Sequence, residues 1–263
     1  MIPARKRWGQ HFLASGATAE RIVAAAQLSP GDTVLEIGPG DGALTRPLMA
    51  AGARVLAIEI DPKRAESLSA ELARRPGVTI VRGDALAKPL AAWLSEAGLP
   101  APAVMVANLP YNVATPILTR ALEERDAIDR IVATVQREVA ERFVAPPASK
   151  AYGYLSVRSV ALAQGRILFD IPPGAFRPRP KVTSSVLELS PLPHPLPVEV
   201  RGRALSLASL GFRSRRKTLV NALASVASRE TLESALAAIG QSARSRAEEL
   251  SFEEYVALSE RVP

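Results

Sequence analysis

The sequence predicts an α/β fold with a mainly parallel sheet, helices on both faces of that sheet, and a small all-helical C-terminal domain. Apolar runs of strand length alternate with amphipathic stretches between residues 17 and 136, which is the pattern of consecutive βαβ units. Prolines then occupy alternate positions between 191 and 197, where neither a helix nor a central strand tolerates them. We therefore predict one domain over residues 1–190, a proline-rich linker over 191–197, and a helical domain over 198–263.

The predicted strands are short apolar runs that end in turn residues. They are Thr33 to Ile37, Arg54 to Ile60, Val78 to Val81, Ala103 to Ala107 and Arg130 to Val135. The helices around them are Ala17 to Gln27, Ala43 to Ala51, Pro62 to Arg74, Pro89 to Glu96 and Thr115 to Glu124. A helix (Arg137 to Val144), a β-rich stretch (Leu155 to Ile171) and a strand (Thr183 to Leu189) follow, so we expect the sheet to finish with a hairpin. The C-terminal helices are Leu205 to Leu210, Lys217 to Ala227, Thr231 to Ile239 and Phe252 to Glu260.

The composition excludes several classes of function. The chain contains no cysteine, so disulfides, thiol catalysis and thiolate metal sites are ruled out, and its two histidines, His11 and His194, are far apart in sequence. We therefore expect no metal site. No apolar run reaches the length of a membrane span, and the N-terminal residues show no secretory signal. These features predict a soluble, cytoplasmic protein without a membrane partner, and we expect a monomer.

The net charge of +7 points to an anionic partner, and its distribution is more specific than its size. No acid lies between Glu199 and Glu230, a stretch that is rich in arginine. Arginines that merely solvate helices would be interleaved with acids, so we interpret the acid-free clusters as a nucleic-acid footprint. The residues predicted to bind RNA are Arg5, Lys6, Arg7, Arg177, Arg179, Lys181, Arg213, Arg215, Arg216 and Lys217.

The tetrad Asn108-Leu109-Pro110-Tyr111 follows a buried strand candidate, at the edge where open α/β sheets bind ligands. The Asn108 amide oxygen and the Leu109 carbonyl can both accept hydrogen bonds from an exocyclic amino group, and Tyr111 can stack on the ring that carries it. Two acceptors would help localise the lone pair of an adenine N6 atom, which is otherwise delocalised into the ring. The alternative is an ordinary strand-ending turn, since asparagine and proline are common in such turns.

Glycines and acids end the preceding strands. Gly38 and Gly40 lie in a turn after the first strand, where a ligand can approach the backbone closely. Glu59 ends the second strand at a position suited to both hydroxyls of a ribose, and Asp84 follows the third and can accept from an adenine amino group. Each acid has the alternative role of a helix N-cap or a solvated turn. Their joint placement favours an adenosine-bearing cofactor, and the missing phosphate-binding loop favours S-adenosylmethionine over NAD.

Phe176 lies in a proline-stiffened basic loop. Its functional interpretation is a second stacking face opposite Tyr111, for a base that has left its own stack. The alternative is ordinary burial in the core, the usual environment of phenylalanine.

Several separated motifs resemble one family, the bacterial small-subunit (16S) rRNA adenine N6,N6-dimethyltransferases of the kasugamycin-resistance type. The motifs are Gly9-Gln-His-Phe-Leu13, Glu36-Ile-Gly-Pro-Gly40 with Leu44-Thr45, Asn108-Leu-Pro-Tyr111, Gln136-Arg-Glu-Val-Ala-Glu-Arg142, Ala151-Tyr-Gly153, Phe176-x-Pro-x-Pro-Lys-Val182, Arg215-Arg-Lys-Thr-Leu219 with Asn221, and Arg246-Ala-Glu-Glu-Leu250. The resemblance extends from about Arg5 to the C-terminus.

The resemblance implies a class I, Rossmann-like S-adenosylmethionine-dependent methyltransferase with a helical, rRNA-binding C-terminal domain. It implies dimethylation of two adjacent adenosines in the 3′-terminal hairpin loop of 16S rRNA, within an immature small ribosomal subunit. Two groups of site residues are carried over by motif. The cofactor residues are His11, Leu13, Gly38, Gly40, Glu59, Asp84 and Asn108, and the residues at the target base are Asn108, Leu109, Tyr111 and Phe176.

Three alternatives remain open at this stage. The first is a large-subunit rRNA adenine dimethyltransferase of the macrolide-resistance type, which shares the tetrad and the glycine turn. The second is a non-catalytic RNA-binding assembly factor that reuses the fold, and the third is a DNA adenine methyltransferase. The motifs at Ala151-Tyr-Gly153 and Arg215 to Thr218 favour the small-subunit enzyme. Intact cofactor-site residues weigh against the assembly factor.

Overall fold

The computed structural model describes residues 10–263, and the chain forms two compact units. The described part of the first unit is residues 10–140 and 165–191, and the second unit is Glu141–Gln164 and Leu192–Pro263. Within the described residues, no helix combines the length and apolar character that a bilayer span requires.

The strands are β1 (Phe12–Leu13), β2 (Thr33–Ile37), β3 (Arg54–Glu59), β4 (Val78–Arg82), β5 (Ala103–Asn108), β6 (Ile128–Gln136), β7 (Ala163–Ile171), β8 (Phe176–Arg177) and β9 (Ser184–Pro191). The helices are α1 (Gly16–Ala25), α2 (Thr45–Ala50), α3 (Pro62–Leu72), α4 (Leu90–Glu96), α5 (Ala114–Glu123), α6 (Arg137–Val144), α7 (Tyr154–Val160), α8 (Val198–Phe212), α9 (Leu219–Ala222), α10 (Arg229–Ala238) and α11 (Phe252–Ser259).

Seven strands form one sheet in the order β4-β3-β2-β5-β6-β9-β7. Strands β2 to β6 pair in parallel, and β9 pairs antiparallel with β6. The predicted α/β class is confirmed. The chain passes from β4 at one edge to β5 beside β2, so the order reverses at the β2–β5 pair. The carboxyl ends of parallel strands on either side of such a reversal form the usual ligand crevice.

The elements follow from local sequence. All residues of β2 are buried, as expected for a parallel strand covered on both faces. Helix α3 begins where the Asp61 side chain accepts a hydrogen bond from the Lys63 backbone N–H, with Pro62 in the first turn. A separate two-stranded sheet pairs β1 antiparallel with β8, which places Leu13 opposite Phe176. This small sheet ties the segment at residue 12 to the loop at residue 177.

The β prediction for Leu155 to Ile171 was wrong in its first half and right in its second. Residues Tyr154–Val160 form helix α7, and strand β7 begins only at Ala163. Short apolar runs with β-branched residues do not distinguish a buried helix from a strand. Here the buried side chains of Val157 and Ala161 pack into the core of the helical unit, which decides the conformation.

The second unit begins earlier than the predicted domain boundary. Residues Glu141–Gln164 belong with the helices after Leu192, although the sequence placed them in the domain over residues 1–190. The reason is packing, since Tyr152 is buried in the same core as Leu207 and Tyr255. The Tyr152 hydroxyl also donates to the Leu250 carbonyl at 2.8 Å. Helix α8 begins at Val198, directly after the proline-rich linker.

Candidate active site

A cleft lies at the carboxyl ends of β2, β3 and β5 and encloses ≈ 810 Å³, including its open mouth. Five predicted cofactor residues line it together, and so does Leu109. The lining is Gln10, His11, Phe12, Ile37, Gly38, Ile58, Glu59, Ile60, Gly83, Asp84, Ala85, Leu86, Asn108, Leu109, Pro110, Asn112, Val113 and Ile117. Leu13 lines a smaller adjoining cavity instead.

The glycine turn after β2 requires glycine at position 40 for two reasons. Gly40 has a φ of +59°, and a Cβ there would lie 2.6 Å from a ring carbon of Phe12. Its backbone N–H donates to the Glu59 Oε2 atom at 3.0 Å. Gly40 therefore shapes the turn and holds Glu59, whereas Gly38 lines the cleft itself.

Glu59 is buried at the end of β3, with 2% of its surface exposed. One carboxylate oxygen accepts from the Gly40 backbone N–H, and the other accepts from the Asp61 backbone N–H at 2.8 Å. Burial raises the pKa of Glu59, and these two hydrogen bonds oppose that rise. Each oxygen keeps a further lone pair, so this carboxylate fits the two hydroxyls of a ribose in the cleft.

Asp84 lies on the same cleft, and its Oδ1 atom accepts from the Leu86 backbone N–H at 2.9 Å. The preceding residue must be small, because a Cβ on Gly83 would lie 2.3 Å from the Trp93 ring. Sequence reasoning missed Ile60, a large apolar residue that lines the cleft and is 42% exposed. An apolar side chain beside two acids suits a nucleoside. The sequence signal that could have indicated Ile60 is its position directly after Glu59.

Asn108 ends β5, and its Nδ2 atom donates to the backbone carbonyl of His11 at 2.8 Å. This bond fixes which end of the amide is which and leaves the Oδ1 atom as an acceptor. The next residue is held as well, since the Leu109 backbone N–H donates to the Thr134 carbonyl at 3.1 Å. The structure therefore gives the two predicted acceptors a fixed backbone and a defined amide orientation.

Two contacts fix the Tyr111 ring. Its hydroxyl hydrogen-bonds the Ser184 hydroxyl at 2.6 Å, and burial raises its pKa. The His11 ring stacks on it with centroids 5.1 Å apart and an interplanar angle of 30°. Sequence reasoning missed Ser184, which is 73 residues away along the chain.

Phe176 does not have the accessible ring that its predicted stacking role requires. Its side chain is fully buried in the core of the first unit, in the strand β8 that pairs with β1. Burial of a large aromatic side chain is favourable by itself and needs no ligand. In this conformation the ring stacked on Tyr111 belongs to His11.

Glu36 is a buried carboxyl group that the sequence analysis did not assign to the site. It lies within β2, lines the smaller cavity beside the cleft, and accepts from the Thr45 hydroxyl at 2.7 Å. Burial raises its pKa to about 8, an effect that the Thr45 hydrogen bond opposes. The sequence signal was an acid within an otherwise apolar strand.

The predicted RNA-binding residues that the structure describes divide between the two units, and two of these described residues have internal partners. In the first unit the Arg177 guanidinium donates to the carbonyls of Gly174 and Phe176, while Arg179 and Lys181 are exposed. In the second unit Arg215 donates to the Tyr152 carbonyl at 2.5 Å. The remaining members of that cluster, Arg213, Arg216 and Lys217, are exposed, whereas Arg5, Lys6 and Arg7 lie outside the described residues.

Metal ligands do not cluster in residues 10–263, where no group of three or more histidine, aspartate or glutamate side chains could hold an ion. The buried acids of the site are instead satisfied by backbone and hydroxyl donors.

Sequence comparison gives two kinds of match. The model of the ribosomal RNA adenine dimethylase family matches residues 1–262. A ribosomal RNA small subunit methyltransferase A from Synechococcus sp. (strain JA-3-3Ab) is 44% identical over 264 aligned positions, an alignment that covers 97% of this chain and 92% of that protein. The protein of the same name from Thermosynechococcus vestitus is 44% identical over 269 aligned positions, an alignment that covers 99% of this chain and 97% of the relative.

Solved structures agree with this assignment. The 23S rRNA methyltransferase ErmE has a TM-score of 0.73 at 28% identity, covering 95% of this chain and 99% of its own. A dimethyladenosine transferase from Plasmodium falciparum has a TM-score of 0.77 at 23% identity, covering 94% and 96%, and this second likeness supports the fold. The resemblance noted in the sequence is confirmed, and the chain belongs to the ribosomal RNA adenine dimethylase family.

Proposed function

We propose that this protein is an S-adenosylmethionine-dependent rRNA methyltransferase that dimethylates N6 of two adjacent adenosines in the 3′-terminal hairpin loop of 16S rRNA. Family membership supports rRNA adenine dimethylation, and relatives at 44% identity are named small subunit methyltransferases. The observation that carries the proposal is the orientation of Asn108, whose Nδ2 atom is held by the His11 carbonyl beside the cleft. The amide oxygen is thereby left to accept from an amino group.

The cleft residues fit S-adenosylmethionine. Gly38 allows close approach of the ligand to the backbone, Glu59 would accept from the ribose hydroxyls, and Asp84 would accept from the adenine amino group. Ile60 would pack against the apolar part of the nucleoside. When bound, this cofactor supplies a methyl group on a sulfonium, which is electrophilic without any metal.

The protein would contribute positioning rather than a strong base. Asn108 Oδ1 and the Leu109 carbonyl would accept hydrogen bonds from the N6 amino group of the target adenine and so localise the nitrogen lone pair. Tyr111 would hold the ring by stacking, a contact worth roughly 1–3 kcal/mol per base. The proton lost from N6 passes to solvent. No described residue is required to titrate for this step.

We propose the immature small subunit as the substrate, the protein acting as a monomer in the cytoplasm. Exposed basic residues on both units, among them Arg179 and Arg216, would supply contacts to rRNA phosphates. Size-exclusion chromatography with light scattering would test the monomer, and cell fractionation would test the compartment.

A large-subunit rRNA substrate is the second candidate, because ErmE, a 23S rRNA methyltransferase, shares the fold at 28% identity over nearly the whole chain. The higher identity to small subunit methyltransferases favours the 16S substrate. A non-catalytic assembly factor would not need the fixed acceptors at Asn108 and Leu109, and tight S-adenosylmethionine binding would argue against it.

The decisive experiment is methyl transfer from labelled S-adenosylmethionine to small subunits purified from a strain that lacks this modification. Large subunits and duplex DNA are assayed beside them, and the modified base is mapped. We expect dimethyladenosine at the adjacent pair in the 16S hairpin. Label only in the large subunit would favour the large-subunit rRNA as the substrate. Label only in DNA would exclude both rRNA substrates.

The Asn108→Ala variant tests the mechanism in the same assay. Removal of the amide should abolish methylation while binding to the subunit persists, because the exposed basic clusters are untouched. Gln164→Ala is the control, since Gln164 is an exposed amide that does not line the cleft. Equal rates for Asn108→Ala and the wild type would refute the assigned role.

A further inference from the structure

His11 contacts two of the three residues that would receive the target adenine. Its backbone carbonyl accepts from Asn108 Nδ2 at 2.8 Å, and its ring stacks on Tyr111. The family resemblance implied only that His11 lines the cofactor site. The geometry points to an additional role on the acceptor side of the cleft.

The His11 ring makes a second contact besides its stacking on Tyr111. Its Nδ1 atom lies 2.7 Å from the Pro178 carbonyl oxygen. A carbonyl only accepts hydrogen bonds, so Nδ1 must carry the proton. The ring is therefore fixed between Tyr111 and the loop that carries the basic residues Arg179 and Lys181.

The backbone around His11 is anchored on the same side. Phe12 and Leu13 pair with Arg177 and Phe176, and the Ala14 backbone N–H donates to the Ala175 carbonyl at 2.8 Å. This pairing fixes the position of the His11 carbonyl relative to the Asn108 side chain. A displacement of about 1 Å at such a group can cost on the order of 100-fold in rate.

We infer that His11 is a positioning residue for the target adenine. Its carbonyl sets the orientation of the Asn108 amide, and its ring, held by Pro178, sets the plane of Tyr111. This inference rests on the proposed function, since it assigns the residue to the methyl-accepting side of that same site. It predicts that losing the imidazole slows methyl transfer much more than it weakens cofactor binding.

Three substitutions separate the contacts. His11→Ala removes both the stacked ring and the N–H donor, His11→Phe keeps a ring on Tyr111 without the donor, and His11→Asn keeps an N–H donor without the ring. The matched control is His194→Ala, because His194 is the other histidine of the chain and lies exposed in the linker.

The readouts are kcat and KM with undermethylated small subunits, and the dissociation constant of S-adenosylmethionine measured by calorimetry without RNA. For His11→Ala we expect kcat to fall at least about tenfold while the cofactor dissociation constant changes less than about threefold. His11→Phe and His11→Asn should each recover part of the loss, which a role in folding alone would not produce. His194→Ala should match the wild type.

Two results of these kinetic and binding measurements would overturn the inference. An unchanged kcat in His11→Ala would show that Asn108 and Tyr111 do not depend on the ring. A loss of cofactor affinity equal to the loss of kcat would restrict His11 to the cofactor site.

Long-range ¹H–¹⁵N NMR tests the geometry independently of any activity. With only two histidines, their signals are assigned by comparison with His194→Ala. We expect the His11 ring to carry its proton on Nδ1 and to lose that preference in a Pro178→Gly variant, which relaxes the loop. The same tautomer mixture at His11 and His194 would overturn the inference. Absence of methylation by the wild type with a fixed His11 tautomer would instead refute the proposed function.

Discussion

The backbone N–H of Gly40 donates a hydrogen bond to the buried carboxylate of Glu59 at 3.0 Å. This bond joins the turn after β2 to the end of the neighbouring strand β3. The residue that would accept from the cofactor ribose is therefore held by the turn that the cofactor would approach. Any change that moves the turn should also disturb the carboxylate.

Gly40→Ala should lower both stability and cofactor affinity. The new Cβ would lie 2.6 Å from the Phe12 ring, in a backbone conformation with positive φ that alanine adopts only at a cost. We expect the free energy of unfolding to fall by about 2–4 kcal/mol from overpacking and strain together. Urea denaturation and calorimetric titration with S-adenosylmethionine measure the two effects.

Gly98→Ala is the matched control for that substitution. Gly98 has a similar φ of +67°, but a Cβ there meets nothing within 4 Å. Only the backbone cost of about 1–2 kcal/mol should appear, with cofactor affinity unchanged. If the two variants lost the same stability and bound the cofactor equally, the contact between Gly40 and Phe12 would have no consequence in solution.

The free energy of unfolding should depend on pH in part through the ionisation of Glu36. Burial raises its pKa to about 8, from an ordinary value of 4.5 in the unfolded chain. Between these values the folded protein holds a proton that the unfolded chain has lost, so this group destabilises the fold as pH rises. The limiting slope is about 1.4 kcal/mol per pH unit.

Glu36→Gln removes the titrating carboxyl group and keeps an oxygen atom that can accept the hydrogen bond from the Thr45 hydroxyl. The variant should therefore gain stability relative to the wild type as pH is raised from 5 to 8, measured by urea denaturation at each pH. Glu66→Gln, at an exposed position on α3, serves as the control. A constant difference between Glu36→Gln and the wild type across this range would mean that Glu36 does not titrate there.

The parallel sheet could be predicted because its signals are local. Strand β2 has the predicted bounds Thr33–Ile37, and β5 extends one residue past the predicted end. Buried parallel strands are nearly continuous apolar runs, so glycine, glutamate and asparagine at their ends stand out. Once a parallel sheet is assumed, Gly38, Glu59 and Asn108 must meet at one edge. The structure places all three on the same cleft.

The contacts around the target site could not be predicted from local patterns. The bond from Asn108 to the His11 carbonyl joins residues 97 positions apart, and nothing in either motif encodes it. The burial of Phe176 depends on the pairing of β8 with β1, two strands of two residues each. Helix α7 likewise owes its conformation to packing in the second unit. Each outcome is decided by tertiary contacts that periodicity does not report.

Adjacent arginines in the second unit should differ in what they contribute. Both side chains are exposed, but only that of Arg215 is engaged within the described residues, where it donates to the Tyr152 carbonyl at 2.5 Å and lies 3.7 Å from the Glu248 carboxylate. Arg215→Ala should lower the free energy of unfolding by about 1–2 kcal/mol, because it removes a charge-assisted hydrogen bond. Arg216→Ala should change stability by less than about 0.5 kcal/mol.

Binding to the 16S 3′-terminal hairpin, measured at several salt concentrations, provides the second half of this prediction. Arg216→Ala should weaken binding and reduce the slope of log K against log salt by about 1, as expected for one lost phosphate contact. Arg215→Ala should leave that slope closer to the wild-type value, because its guanidinium is already engaged within the protein. Slopes reduced equally in both variants would show that RNA draws Arg215 away from Tyr152, and both residues would then contact RNA phosphates. Wild-type slopes in both variants would exclude Arg216 from the RNA-binding surface.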